Sequence, residues 1–242
     1  MKKYETKLQH NGKLVSYFTD NALWRKAYED GEMNWEIRNV RRAVDIVPKP
    51  DIVLDIGANI GHFALPYSDW ATTVHCFEPN PTVFSLLKLN IEQNNIKNVV
   101  LHNVGVSDNP GKSLLRVFNR NEGRSFVTDK PTKHSVEIDL VRVDDIDFTG
   151  RSVDFVKMDT EGFELIALRG MSQLVQKHSP AFQIELIDEN LERNGHTSVE
   201  VWDFFNDHGY SARVNSRAKL SREEMPSDKR SRVDVFFTKE KK

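Results

Sequence analysis

Short apolar blocks separated by turn residues run along most of the chain, and they predict strands and helices in alternation. Ile52-Val53-Leu54-Asp55-Ile56 is short and apolar, the pattern of a strand buried on both faces. Thr73 to Phe77, Val99 to Val106, Val153 to Asp159 and Ala181 to Leu186 read the same way. Helical spans fall between them: about Gly61 to Trp70, Pro81 to about Asn94, and Glu161 to Gly170. A further helix, Val199 to His208, stops at Gly209, a C-terminal glycine signal. Residues 112–142 predict two or three antiparallel strands around a polar loop from Asn119 to Lys133. Tyr210 to Val214 and Val233 to Phe237 predict a closing β-hairpin, with the polar stretch 215–231 as a surface loop or short helix. Trp24, Tyr28, Trp35, Ile37, Val40, Val44 and Val47 recur at roughly helical spacing. Residues 1–50 are therefore expected to form an N-terminal helical region, ended by Pro48 and Pro50, and residues 51–242 the main domain. Alternating strands and helices define an α/β class, with a parallel core sheet covered by helices on both faces.

Composition narrows the class without changing it. A length of 242 residues suits one large α/β domain. The net charge of −2 disfavours general binding to nucleic acid or to anionic membrane. Cys76 is the single cysteine, so no internal disulfide can form, and a reducing, cytoplasmic setting is the simplest expectation. Cys76 lies in the run Val74-His75-Cys76-Phe77 and reads as a small buried hydrophobe, not a nucleophile. No apolar stretch long enough to span a membrane is expected, and the first ten residues show no signal-peptide core.

The candidate chemistry begins where the first apolar strand runs into Asp55-Ile56-Gly57-Ala58-Asn59-Ile60-Gly61. Strand, glycine turn and helix make a nucleotide cradle, because Gly57 and Gly61 let the backbone turn tightly beside a ligand. Dinucleotide folds want G-x-G-x-x-G to seat a pyrophosphate; here Ala58-Asn59 fills the middle. S-adenosylmethionine has no phosphate and suits the turn better. Asp55 would take its ammonium, directly or through water. Glu78, in Phe77-Glu78-Pro79-Asn80, could accept both ribose hydroxyls. Asn103 and Val104, after the third strand, would flank the adenine with an amide and an apolar wall. Each acid alone could be a helix cap or a solvated carboxylate; the pair, one strand-helix-strand unit apart, favours the cradle.

The fourth strand delivers Lys157-Met158-Asp159-Thr160-Glu161-Gly162-Phe163-Glu164 to the same sheet edge. Asp159 is the first candidate to contact an acceptor hydroxyl, Glu161 the second, and Glu185 a possible third wall. Glu161 and Glu164, three apart, are expected on one helix face, where Glu164 also suits the helix dipole. His62 and His134 are rival bases that read more simply as structural or surface residues. Asp159 and Glu161 are too few to define a metal site. No Asn/Asp-Pro-Pro-Tyr/Phe motif for base amino groups stands at this strand end, and Cys76 is misplaced for pyrimidine C5 chemistry. A carboxylate suits an oxygen acceptor, whose proton must be taken or polarised.

As an ordered set, Asp55-x-Gly57-Ala58-Asn59-x-Gly61, Phe77-Glu78-Pro79-Asn80-Pro81, Asn103 to Asp108, Lys157 to Glu164 and Ile184-Glu185 resemble the FkbM family of methyltransferases. The resemblance covers roughly residues 51–187, with Thr160 where the family commonly carries valine. It implies a class I, Rossmann-like methyltransferase fold with a mixed seven-stranded sheet. It also implies S-adenosyl-L-methionine as donor, and O-methylation of a hydroxyl on a sugar, glycan or natural product. The cofactor residues it carries over are Asp55, Gly57, Ala58, Asn59, Gly61, Glu78, Pro79, Asn80, Asn103, Val104 and Asp159. A nucleic-acid or protein methyltransferase, a non-catalytic S-adenosylmethionine-binding scaffold and a nicotinamide oxidoreductase are the competing readings.

Overall fold

The N-terminal region holds a hairpin as well as a helix. A computed structural model of the chain describes residues 2–7, 14–19, 34–118, 124–214, 218–225 and 232–239. Strand β1 (Lys2–Lys7) pairs antiparallel with β2 (Leu14–Thr19), Lys2 opposite Thr19 and Tyr4 opposite Tyr17. Tyr4, Thr6, Val15, Tyr17 and Phe18 are strand formers, and the hairpin they build corrects the expectation of a wholly helical region over residues 1–50. Helix α1 (Asn34–Ile46) follows, with Val40 and Ala43 buried. Trp24 and Tyr28 lie outside the described residues.

β3 (Ile52–Ile56) is buried at every position. After it come α2 (Ala64–Ser68), β4 (Thr73–Phe77), α3 (Pro81–Gln93) and β5 (Val99–His102). The apolar run 99–106 is not one strand. It breaks at Asn103-Val104, and β6 (Gly105–Val106) joins a second sheet with β7 (Gly111–Arg116), β8 (Phe126–Thr128) and β9 (Ser135–Val141), in the order β6-β9-β7-β8. β7 and β9 are the antiparallel strands expected in residues 112–142, while β8 forms inside the stretch expected as a polar loop; the sheet closes over Leu115, Ile138 and Leu140.

The chain returns through β10 (Val153–Met158), α4 (Glu164–Arg169), α5 (Ser172–His178), β11 (Ala181–Leu186), α6 (Asp188–Leu191), α7 (Ser198–Asp207), β12 (Ser211–Val214), β13 (Ala218–Leu220) and β14 (Val233–Thr238). The main sheet runs β13-β12-β14-β11-β10-β3-β4-β5. β11, β10, β3, β4 and β5 are parallel, while β14 pairs antiparallel with β11 and β12, as the closing hairpin required. Among the described residues the sheet has eight strands where seven were expected, because Ala218–Leu220 within the expected surface loop pairs with β12.

Apolar side chains cover both faces. One face packs Leu54, Val156 and Ile184 against Leu165, Leu168, Val175 and Phe205. The other packs Val53, Cys76 and Phe155 against Ala43, Leu65, Leu87 and Tyr17. Helix α7 starts in a capping box: Glu200 N donates to Thr197 Oγ1 at 3.4 Å and Thr197 N donates to Glu200 Oε2 at 2.9 Å. Thr197→Ala is expected to lower stability by about 1 kcal/mol in urea denaturation; an unmoved midpoint would show that the box contributes nothing. Strand order reverses between β3 and β10, so a crevice opens beyond their carboxyl ends, the place where open α/β sheets take ligands.

Candidate active site

Three loops leaving β3, β4 and β10 build the crevice. After Ile56 the chain turns back on itself: Gly57 N and Ala58 N both donate to Phe77 O, at 2.9 and 3.0 Å. Gly57 has φ +79°, and a β-carbon there would lie 1.8 Å from the carbonyl oxygen of Asp159. The cradle turn therefore sits directly against the end of β10. Asn59, also left-handed at φ 51°, aims its N–H at Glu78 Oε2, 2.9 Å away.

Glu78 is the fixed point of the site. Its Oε1 accepts from Asn80 N at 2.9 Å, so the carboxylate is gripped by one backbone N–H from each of two loops. Burial pushes its carboxyl up to about 7, against the pull of those two N–H groups. Each oxygen keeps a second acceptor position for a ligand hydroxyl. Asn80 caps α3 through Thr82 N and Val83 N. Asn103 donates to Glu78 O at 2.8 Å and Pro79 O at 3.3 Å, so its amide braces the loop that carries Glu78.

The crevice holds about 620 Å³ of space, open solvent at its mouth included. Its apolar lining includes Phe77, Val104 and Val106, with Leu115 and Val127 from the small sheet. Asp159, Thr160 and Glu161 also line it, with Gly57 and Asn59, and Gly57 packs against the Asp159 carbonyl. Among the candidates, Gly57, Asn59, Glu78, Pro79, Val104, Asp159 and Glu161 line the crevice; Asp55, Ala58, Gly61, Asn80 and Asn103 do not.

Asp55 is buried beneath the turn, and among the described residues neither of its oxygens accepts a hydrogen bond. Burial drives its carboxyl up to about 6, opposed by Lys157. Glu161 lies outside the helix, in the left-handed region at φ 55°, and accepts from Asn190 Nδ2 at 2.6 Å. Burial, then Asp159 and Glu164, raise it to about 8. Glu161 and Glu164 thus do not share a helix face. Glu164 instead turns inward, accepting from Thr160 N, Thr160 Oγ1 and Gly162 N, which ties down the loop after β10.

Glu185 does not line the crevice; its carboxylate pairs with Arg232. His62 is buried beside the Tyr17 ring, with its imidazole driven down to about 3 by burial and by Lys157, and His134 is exposed ahead of β9. Neither lines the crevice. Cys76 is buried with its thiol pushed up, as a structural cysteine should be. Among the described residues, no cluster of three or more metal-ligating side chains is present and no helix is long and apolar enough to cross a membrane. Sequence reading missed Lys157 and the wall from β7 and β8. A lysine inside an apolar strand was the available signal for the first; the second needed the tertiary fold.

Five parallel strands and an antiparallel strand beside the fifth, with the crevice at the reversal point, make the class I, Rossmann-like methyltransferase fold. Residues 55–212 match the methyltransferase FkbM domain, and the chain belongs to the FkbM methyltransferase family. It is 29% identical over 164 residues to Methyltransferase 1 of Beauveria bassiana, covering 54% of this chain and 64% of the relative. It is 30% identical over 152 residues to the hexuronic acid methyltransferase AglP of Haloferax volcanii, covering 59% of this chain and 62% of the relative. The chain thus spans under two thirds of each of these relatives. A methyltransferase FkbM from Methylobacillus flagellatus shares the fold with TM-score 0.51 at 19% identity, over 78% of this chain and 43% of that one. A ribosomal RNA methylase from Streptococcus thermophilus does so with TM-score 0.50 at 10% identity, over 84% and 95%.

S-adenosylmethionine is the cofactor of this family, and the residues present fit it. Glu78 offers two spare acceptor positions inside the crevice, the apolar lining residues suit a purine, and the carboxylates suit a cationic methionine end. Bound there, it would supply an electrophilic methyl group.

Proposed function

We propose that the chain transfers a methyl group from S-adenosylmethionine to a hydroxyl oxygen of a sugar, free or within a glycan. The observation that carries this reading is the pair of interacting acids in the crevice lining, Asp159 and Glu161, with Asp159 against the Gly57 turn. A sugar hydroxyl is a weak nucleophile until a base takes its proton. Asp159 contacts the acceptor hydroxyl, and Glu161 takes the proton in its ionised form, which becomes the major form only as pH rises through about 8. Glu78 and the Gly57 turn hold the donor, so that positioning supplies much of the acceleration. The similarity to AglP, named a hexuronic acid methyltransferase, supports a sugar acceptor. Methyl-¹³C-labelled donor should be offered with neutral sugars, uronic acids, glycans, RNA and peptides, and the products resolved by NMR. Label is expected in a methyl ether of a sugar. Label in a sugar carboxyl ester would move the acceptor atom, and label only in RNA or peptide nitrogen would overturn the reading.

Donor binding should also depend on pH. The ribose hydroxyls need an ionised Glu78, whose carboxyl stands at about 7 in the ligand-free protein. Affinity for S-adenosylhomocysteine is expected to be about tenfold lower at pH 6 than on the plateau above pH 8. Calorimetry across that range checks it, and a flat profile would contradict the ionised contact. Stability of the ligand-free protein follows the same group. Glu78 holds its proton in the folded chain between 4.5 and about 7 while the unfolded chain has released it, so stability falls as pH rises through that window.

A further inference from the structure

The core of the sheet carries a charge where a buried strand normally offers only apolar side chains. Lys157 lies within β10 at 5% exposure, between buried Val156 and Met158. It is the register partner of Asp55 on β3 and of Gln183 on β11, so the three side chains share one face of the sheet. Its Nζ is 3.7 Å from Asp55 Oδ1 and 3.7 Å from Asp159 Oδ2. It also donates to the carbonyl oxygen of Gly57 at 3.3 Å and stands 4.8 Å from the centre of the Phe63 ring. Two of these partners, Gly57 and Asp159, line the crevice, and they come from different strands. A buried ion pair adds little net stability over well-packed apolar residues, so stability alone is a weak reason for a lysine here.

We propose that Lys157 is a positioning residue of the donor site: its ammonium ties the Gly57 turn to the Asp159 carboxylate from behind the crevice wall, with Asp55 as its buried counter-charge. This rests on the reading of the crevice as the S-adenosylmethionine site. Asp55 then acts through Lys157 beneath the cradle, not as a direct ligand of the donor. The other titratable groups that face the ammonium are Glu78, Glu185, Asp234, His62 and the Cys76 thiol.

The test compares Lys157→Met, Lys157→Arg and the double variant Asp55→Asn/Lys157→Met with the parent protein. Near-UV circular dichroism reports the fold, calorimetry reports affinity for S-adenosylhomocysteine, and ¹³C NMR follows the Asp55 carboxyl in ligand-free protein. Lys157→Met is expected to weaken S-adenosylhomocysteine at least tenfold, and Lys157→Arg, which keeps the charge, to recover most of that loss. The Asp55 carboxyl should titrate above its parent value of about 6 in Lys157→Met. Removing one partner of a buried pair can unfold a protein; the double variant removes the orphaned charge, and it should fold and show the same affinity loss. Affinity within threefold of the parent in either folded Met variant would overturn the proposal. Equal losses in the Met and Arg variants would assign the effect to packing and overturn it as well. If the parent itself fails to bind S-adenosylhomocysteine, the donor reading fails, while an unmoved Asp55 titration separately overturns the pairing with Lys157.

Discussion

Replacing Glu78 with alanine is expected to weaken binding of S-adenosylhomocysteine by about 10²- to 10⁴-fold, because two hydrogen bonds to a charged carboxylate contribute about 1.5–3 kcal/mol each. The geometry makes this side chain hard to replace. Asn59 N and Asn80 N hold its two oxygens at 2.9 Å and leave one acceptor position on each for a ribose hydroxyl. Alanine also strands those two N–H groups in a mostly buried site, which loosens the cradle. Glu78→Gln separates the two effects. A glutamine can accept one backbone N–H, but its amide nitrogen must face the other, so an intermediate loss is expected. Calorimetry on all three proteins decides the matter. Unchanged affinity in Glu78→Ala would remove Glu78 from the ribose site.

The second large effect is expected at Gly57. An alanine β-carbon would stand 1.8 Å from Asp159 O, and the backbone is at φ +79°. The turn and the end of β10 cannot both stay in place, so Gly57→Ala should cost about 3 kcal/mol or more and abolish donor binding. Gly150 is the control: it has φ +75°, but a methyl group there would meet no atom within 4 Å. Gly150→Ala should therefore cost only about 1 kcal/mol, the strain of a left-handed residue. The difference between the two variants in urea denaturation isolates the contact between the cradle and the acid-bearing strand. A Gly57→Ala protein with parent stability and parent affinity would show that this contact is not what shapes the site.

Much of the candidate site was legible in the sequence because its parts are local. Asp55 to Gly61 and Phe77 to Asn80 each follow an apolar strand, and parallel strands place such ends together. The parts that escaped depend on contacts distant in sequence. The run 99–106 looks like one strand, yet its last two residues leave for a second sheet, Gly105 lying opposite Leu140. That sheet supplies Leu115 and Val127 to the crevice, and nothing near either residue in sequence announces it. The spacing of Glu161 and Glu164 implied one helix face. The left-handed backbone at Glu161 separates them, giving the crevice one acid and the loop its internal brace. Lys157 was in plain sight, but its meaning required knowing that Asp55 lies opposite it on the neighbouring strand. Glu185 shows the reverse: an acid at the right strand end whose partner, Arg232, comes from a segment far along the chain.

The most direct test of the donor site is a crystal structure of the protein with S-adenosylhomocysteine bound. Both ribose hydroxyls are expected on the carboxylate of Glu78, the purine between Val104 and the wall from the small sheet, and the sulfur facing the space beside Asp159 and Glu161. Nucleoside density elsewhere, or a ribose that leaves Glu78 untouched, would contradict this assignment.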